Sequence, residues 1–149
     1  MKILINGGAK LDVARDNGVT PLYVATQKGH RDSVQLLIES GCNVNQTKEV
    51  QEIGATALYA AAVEGHEDLI HLLIDAGSNV HAARENGATA VYMAAKYGHV
   101  GCLKALLQAG GNANCTLDNG VNALYIACQN GFTECVELLL DAQVRYIIC

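Results

Sequence analysis

The sequence predicts an all-α solenoid of stacked antiparallel helix pairs joined by β-hairpin-like loops, and three observations predict it. The first is a repeat. Thr56-Ala57-Leu58-Tyr59, Thr89-Ala90-Val91-Tyr92 and Asn122-Ala123-Leu124-Tyr125 follow one another at 33 residues (56, 89, 122), and Thr20-Pro21-Leu22-Tyr23 opens the same text earlier. The second is phase. Each opening leads to Gly29-His30, Gly65-His66, Gly98-His99 or Gly131-Phe132, and then to Leu36-Leu37, Leu72-Leu73, Leu106-Leu107 or Leu138-Leu139. That order reads as helix, tight turn, helix. The third is punctuation, because Gly41, Gly77 and Gly110 close three of the copies before an Asn-bearing turn. A helix pair of this size cannot bury its apolar face alone, so copies at a fixed period stack on one another.

The chain reads as a single domain, residues 1–149. Residues 1–14 are a partial repeat, with Ile3-Leu4-Ile5 matching Leu36-Leu37-Ile38 and the run from Gly8 to Asp12 matching Gly41 to Asn45. This reading starts the chain in mid-unit. Residues 15–50 are the first full unit. The step from Thr20 to Thr56 is 36 residues (56 − 20), so three are inserted, within 46–53. Surface loops accept insertions cheaply, and a longer charged finger is equally a partner contact. Residues 51–83 and 84–116 are regular units, and 117–149 form a divergent terminal unit.

Local signals justify each element. Thr20, Thr56, Thr89 and Asn122 are good helix N-caps. Pro21 stands in the first turn, where its missing N–H does no harm. Gly29, Gly65, Gly98 and Gly131 separate the two helices of a pair. Asp32, Glu67, Asp68 and Glu134 sit early in the second helices, where the macrodipole favours acids. Gly41, Gly77 and Gly110 are the left-handed residues that end those helices. Asp16-Asn17-Gly18, Glu85-Asn86-Gly87 and Asp118-Asn119-Gly120 are hairpin-type turns. In the last unit Gln143 replaces the stop glycine, and Val144 to Cys149 replace the polar tail. An apolar tail there implies a strand or helix folding back as a cap, a cut before another unit, or self-association through an uncapped end.

These residues carry a resemblance. A period of 33 with a T-P-L-H-x-A-like opening, the Gly-His step, the paired leucines and Gly-x-Asn-x-Asn resembles the ankyrin repeat family, over nearly the whole chain. One departure is systematic: the family's His after Leu is Tyr at Tyr23, Tyr59, Tyr92 and Tyr125. A tyrosine brings ring area and a hydroxyl to the stack, so all four read as structural.

Charge and composition narrow the function. Ten basic against fifteen acidic residues leave a net charge of −5. That is wrong for a nucleic-acid face, which needs clustered cations, and wrong for an anionic membrane surface. No apolar run reaches the ~18–20 residues of a membrane span. The opening Met1 to Asn6 turns polar too soon for a signal peptide. Of six cysteines none forms a C-x-x-C pair. Cys102 and Cys135 share one repeat position, where Leu69 stands in another copy, so they read as small core residues. Stacked helices lie about 8–10 Å apart, too far for a disulfide between them. Free thiols point to a reducing compartment, cytoplasmic or nuclear.

Catalytic patterns fail on spacing. His66-Glu67 and His71 are five apart, not the four of H-E-x-x-H, so the side chains diverge by about 140° on a helix. Gly7-Gly8-Ala9-Lys10 lacks the glycine spacing and hydroxyl of a phosphate loop. Cys128 and His99 fall on ordinary repeat positions. The reading is a non-enzyme with no metal and no cofactor. Asn45-Gln46-Thr47 and Asn114-Cys115-Thr116 are sequons in a chain without a secretion signal. The resemblance implies asparagine hydroxylation at some such positions, and Asn45, after Val44, fits better than Asn114; as a structural residue it bonds the turn backbone.

What remains is surface. The resemblance implies that partners dock on the finger tips and the concave side of the first helices. The matching tip residues are Asp16, Asn17 and Val19; Glu52, Ile53 and Ala55; Glu85, Asn86 and Ala88; and Asp118, Asn119 and Val121. The matching helix residues are Gln27 and Lys28, Val63 and Glu64, Lys96 and Tyr97, and Gln129 and Asn130. They vary within a constant frame, as a binding face does. Tyr97 is the strongest anchor, since exposed aromatics dominate interface energies. Acids at successive tips call for a partner with basic character. The expectation is a protein–protein interaction module for a protein or peptide. The alternative is a regulatory or substrate-recruiting segment of a larger enzyme, channel or ubiquitin-ligase assembly.

Overall fold

The computed structural model describes residues 11–48 and 54–148, the last five of these as backbone only. Among them are eight helices in four pairs: α1 (Pro21–Gln27) with α2 (Arg31–Glu39), α3 (Ala57–Glu64) with α4 (Glu67–Asp75), α5 (Ala90–Tyr97) with α6 (Val100–Gln108), and α7 (Ala123–Gln129) with α8 (Thr133–Ile148). The first helices stack in one layer, α1 on α3 on α5 on α7, and the second helices stack in another. This is the all-α solenoid that the repeats predict. The partial repeat at 1–10 and residues 49–53 of the inserted loop lie outside the described residues.

The caps form where the sequence places them. Thr20, Thr56 and Thr89 Oγ1 accept from the N–H of Tyr23, Tyr59 and Tyr92 at 3.1, 3.2 and 3.2 Å. Asn122 Oδ1 accepts from Tyr125 N–H at 2.8 Å. Each bond satisfies a donor that the first helical turn leaves without a backbone partner.

The two layers bury differently. α3 buries Ala57 to Ala62 on every side, because α1, α5 and α4 all pack on it. Alanine makes this close approach fit. The second helices are amphipathic: α4 hides Leu69, Ile70 and Leu73 and turns Glu67, Asp68 and His71 outward. Cys102 and Cys135 are 1% and 0% exposed, in keeping with their core assignment.

Successive pairs are tied at the turn between their helices. Gly29, Gly65 and Gly98 adopt φ of 74°, 79° and 71°, and a ring of the next unit lies against each: His66, His99 and Phe132. A Cβ on Gly65 would come within 2.7 Å of the His99 ring, so the position needs glycine for both conformation and space. His66 Nε2 bonds the Gln27 carbonyl at 3.2 Å, and His99 Nε2 bonds the Val63 carbonyl at 3.0 Å. Phe132 has no such nitrogen. There Asn130 Nδ2 donates to the equivalent carbonyl, that of Lys96, at 2.9 Å.

The fingers are tight turns rather than strands. Among the described residues they show only isolated antiparallel bridges, Lys48–Ala55, Ala83–Thr89 and Thr116–Asn122. Asn17, Asn86 and Asn119 Oδ1 each accept from the N–H two residues on, at 3.2, 3.1 and 3.1 Å. A link between units also runs through the Gly-x-Asn turns: Asp12 Oδ1 accepts from Asn43 N–H at 2.8 Å, and Asn45 Oδ1 from Asn79 N–H at 2.7 Å.

Two features set the last unit apart. Its backbone continues as helix past Gln143. α8 runs on to Ile148 for sixteen residues, where α4 and α6 stop after nine. Gly77 and Gly110 end their helices at φ of 93° and 89°, and Gln143, bearing a Cβ, stays right-handed. The four tyrosines also do not share one environment. Tyr23, Tyr59 and Tyr92 are 6%, 4% and 6% exposed, but Tyr125 is 58% exposed, since among the described residues no further unit packs on α7.

Candidate partner-binding face

Two rows of side chains repeat along the stack. The finger row holds Asp16 and Asn17, Glu85 and Asn86, and Asp118 and Asn119, all exposed. Glu52 and Ile53 belong to the same row in the sequence and lie outside the described residues. The third tip position belongs to the core instead. Ala55 and Ala88 are 0% and 2% exposed, and Val19 and Val121 are half-buried. In all four fingers the carbonyl of that residue accepts across the turn, from the N–H of Arg15, Lys48, Arg84 and Leu117 at 3.0, 2.8, 2.8 and 2.8 Å, which folds the finger back toward the stack.

The second row lies at the C-terminal ends of the first helices. Lys28 follows α1, Glu64 and Tyr97 end α3 and α5, and Gln129 and Asn130 close α7, all exposed; Lys96 is half-buried. Their backbone is already engaged, since the Gln27, Val63 and Lys96 carbonyls accept the bonds that join units. Asn130 is therefore a structural donor as well as a surface residue. Stacking on a fixed spine brings these side chains into register.

Tyr97 stands out in that row. It is 45% exposed, its ring centroid is 6.2 Å from that of His99, and Lys96 Nζ lies 5.4 Å from it. His99 is itself held by the Val63 carbonyl, so Tyr97 rests on an anchored ring. A side chain ordered in advance loses less entropy on binding.

Asn45 is exposed, and both ends of its amide are used. Its Nδ2 donates to the Gly77 carbonyl at 3.1 Å, and its Oδ1 accepts from Asn79. Here Asn45 acts as a bridge between the turns of two units.

Sequence reasoning missed a contact that covers the tyrosines. Lys48 Nζ lies 5.5 Å from the Tyr23 ring centroid, and the Arg84 guanidinium 5.6 Å from that of Tyr59. Arg84 Nη1 also donates to Tyr59 Oη at 3.2 Å. Lys48 and Arg84 hold one finger position in two units, and that recurrence was the available signal. A cation over a partly desolvated ring contributes about 1–2 kcal/mol.

Burial pushes the Cys42, Cys115 and Cys135 thiols up, and pushes Cys102 up to about 11. Such thiols are poor nucleophiles. His71 faces Glu67 at 4.0 Å on an exposed helix side. Among the described residues no three His, Cys, Asp or Glu side chains are grouped as a metal ion would need. No described helix is long and apolar enough to cross a membrane.

A family model of ankyrin repeats, in three copies, matches residues 1–84 and again 58–147. Ankyrin repeats are generally protein–protein interaction modules, and ankyrin repeat domains are typically non-enzymatic. The period, the caps, the two stacked layers and this match lead to one statement: the chain belongs to the ankyrin repeat family.

Proposed function

We propose that this chain is a non-enzymatic module that binds a protein or peptide of basic character across its finger tips and the adjoining ends of its first helices. The observation that carries the reading is the register of exposed, chemically varied side chains on a buried and nearly constant frame. Asp16, Glu85 and Asp118 place a carboxylate on successive fingers, with Glu52 in the same sequence position. Lys28, Glu64, Tyr97 and Asn130 fill one frame position with four chemistries. Complementary charge sets orientation and encounter rate, and Tyr97 supplies the desolvated contact.

The test is affinity capture from a lysate of the source organism, quantified by mass spectrometry, with this chain beside a Lys96→Glu/Tyr97→Ala variant. Circular dichroism verifies that both are folded. A protein kept by the first and lost by the second supports the reading. Equal retention by both baits moves the site away from this row.

A further inference from the structure

Five asparagines are followed directly by glycine: Asn6, Asn17, Asn86, Asn119 and Asn130. Asn6 lies outside the described residues. That pairing has a chemistry of its own. A glycine nitrogen has no side chain beside it to obstruct its approach, so it can attack the side-chain carbonyl carbon of the asparagine before it. A C–N bond forms, and the side-chain nitrogen leaves as ammonia, taking the glycine's amide proton. The cyclic succinimide then takes up a water molecule and opens to aspartate or isoaspartate. The balance needs no oxidant, cofactor or enzyme.

The folded chain holds the four described pairs in bonds that this reaction must break. Gly18, Gly87, Gly120 and Gly131 donate their N–H to the carbonyls of Arg15, Arg84, Leu117 and Cys128 at 2.8, 2.9, 2.8 and 3.1 Å. Each attacking nitrogen is therefore committed to another carbonyl. The side chains are committed too. Asn17, Asn86 and Asn119 Oδ1 accept from the N–H two residues on, and Asn130 Nδ2 donates to the Lys96 carbonyl. Asn86 is held at a third point, since its own carbonyl accepts from Asp118 N–H at 3.1 Å. All four asparagines are exposed. Water and base reach them, so what the fold withholds is the approach of nitrogen to carbon.

We infer that Asn17, Asn86, Asn119 and Asn130 are latent sites of self-deamidation, kept closed by these bonds and released when the bonds open. Tight turns at a surface open more readily than a packed core. The product changes the finger row, because at Asn17, Asn86 and Asn119 the new carboxylate stands beside Asp16, Glu85 and Asp118. Aspartate keeps the finger's bond, since a carboxylate oxygen accepts as an amide oxygen does. Isoaspartate adds a methylene to the backbone of a tight turn, so that finger does not reclose.

Peptide mapping by mass spectrometry tests the proposal, on the 149-residue chain held at mildly alkaline pH with and without guanidinium chloride. In denaturant the four sites are expected to convert ahead of Asn43 and Asn79, which precede Val44 and Val80 and whose attacking nitrogens a branched side chain obstructs. In buffer the same four sites should slow by about tenfold or more. Circular dichroism verifies that the chain is folded in one solution and unfolded in the other. Equal rates in the two solutions overturn the proposal, because the bonds then withhold nothing. So does a denatured chain in which the four sites convert no faster than Asn43 and Asn79.

Discussion

The second and fourth units share a frame and differ in what surrounds it. Tyr59 and Tyr125 each follow a capping residue by three positions and each give their N–H to it. Tyr59 is 4% exposed and bonded to Arg84, while Tyr125 is 58% exposed. Ala62 is 0% exposed and Cys128 is exposed. α4 stops after nine residues and α8 runs for sixteen. Local hydrogen bonding is thus common to both units, and burial is not. In a stacked array the core belongs to the interfaces, and a unit's environment is set by what packs on it.

The largest test of that contrast substitutes the two tyrosines. Tyr59→Ala is expected to cost ~3–5 kcal/mol, the range for a buried aromatic. Tyr125→Ala, already largely in water, should cost less than about 1 kcal/mol. Urea unfolding midpoints check both, and similar losses would break the comparison.

A smaller effect separates the two ways of tying units together. Asn130→Ala removes the donor to the Lys96 carbonyl and should cost ~1 kcal/mol. Adding Phe132→His to that variant should recover part of the loss, because the imidazole then reaches the carbonyl as His99 reaches that of Val63. No recovery by urea unfolding would mean that Asn130 acts by another route.

The smallest effect is the pH response of the interior thiol. Burial chiefly, then Glu67 and Asp68, pushes Cys102 up to about 11. An unfolded thiol ionises near 8.5. Between those values the unfolded chain has lost a proton that the folded chain keeps, so stability should fall as pH rises from about 9 toward 11. Cys102→Ala should show a shallower fall over that range, measured by unfolding at a series of pH values. An unchanged slope would remove Cys102 as its source.

Much of the fold was legible because its signals act within one unit. Thr56, Gly65, Gly77 and Asn86 each do a local job, in capping, turning, stopping or closing a finger, and the structure shows each doing it. The candidate site was legible as positions and less so as surroundings. Asp16 and Tyr97 are on the surface as expected, but Ala55 and Ala88 lie in the core, their carbonyls bonded across the finger to the Lys48 and Arg84 N–H groups. Asn130, expected on the contact row, also donates to the Lys96 carbonyl where other units use an imidazole. That role depends on a carbonyl thirty-four positions away.

The sequence by itself determined the period, the pairing of helices, the capped starts and the glycine stops, because each depends on neighbours a few residues away. Only the tertiary structure decided which of four equivalent tyrosines is covered and which cation covers it. Those outcomes depend on contacts between units, and a residue's own segment carries no record of what packs against it.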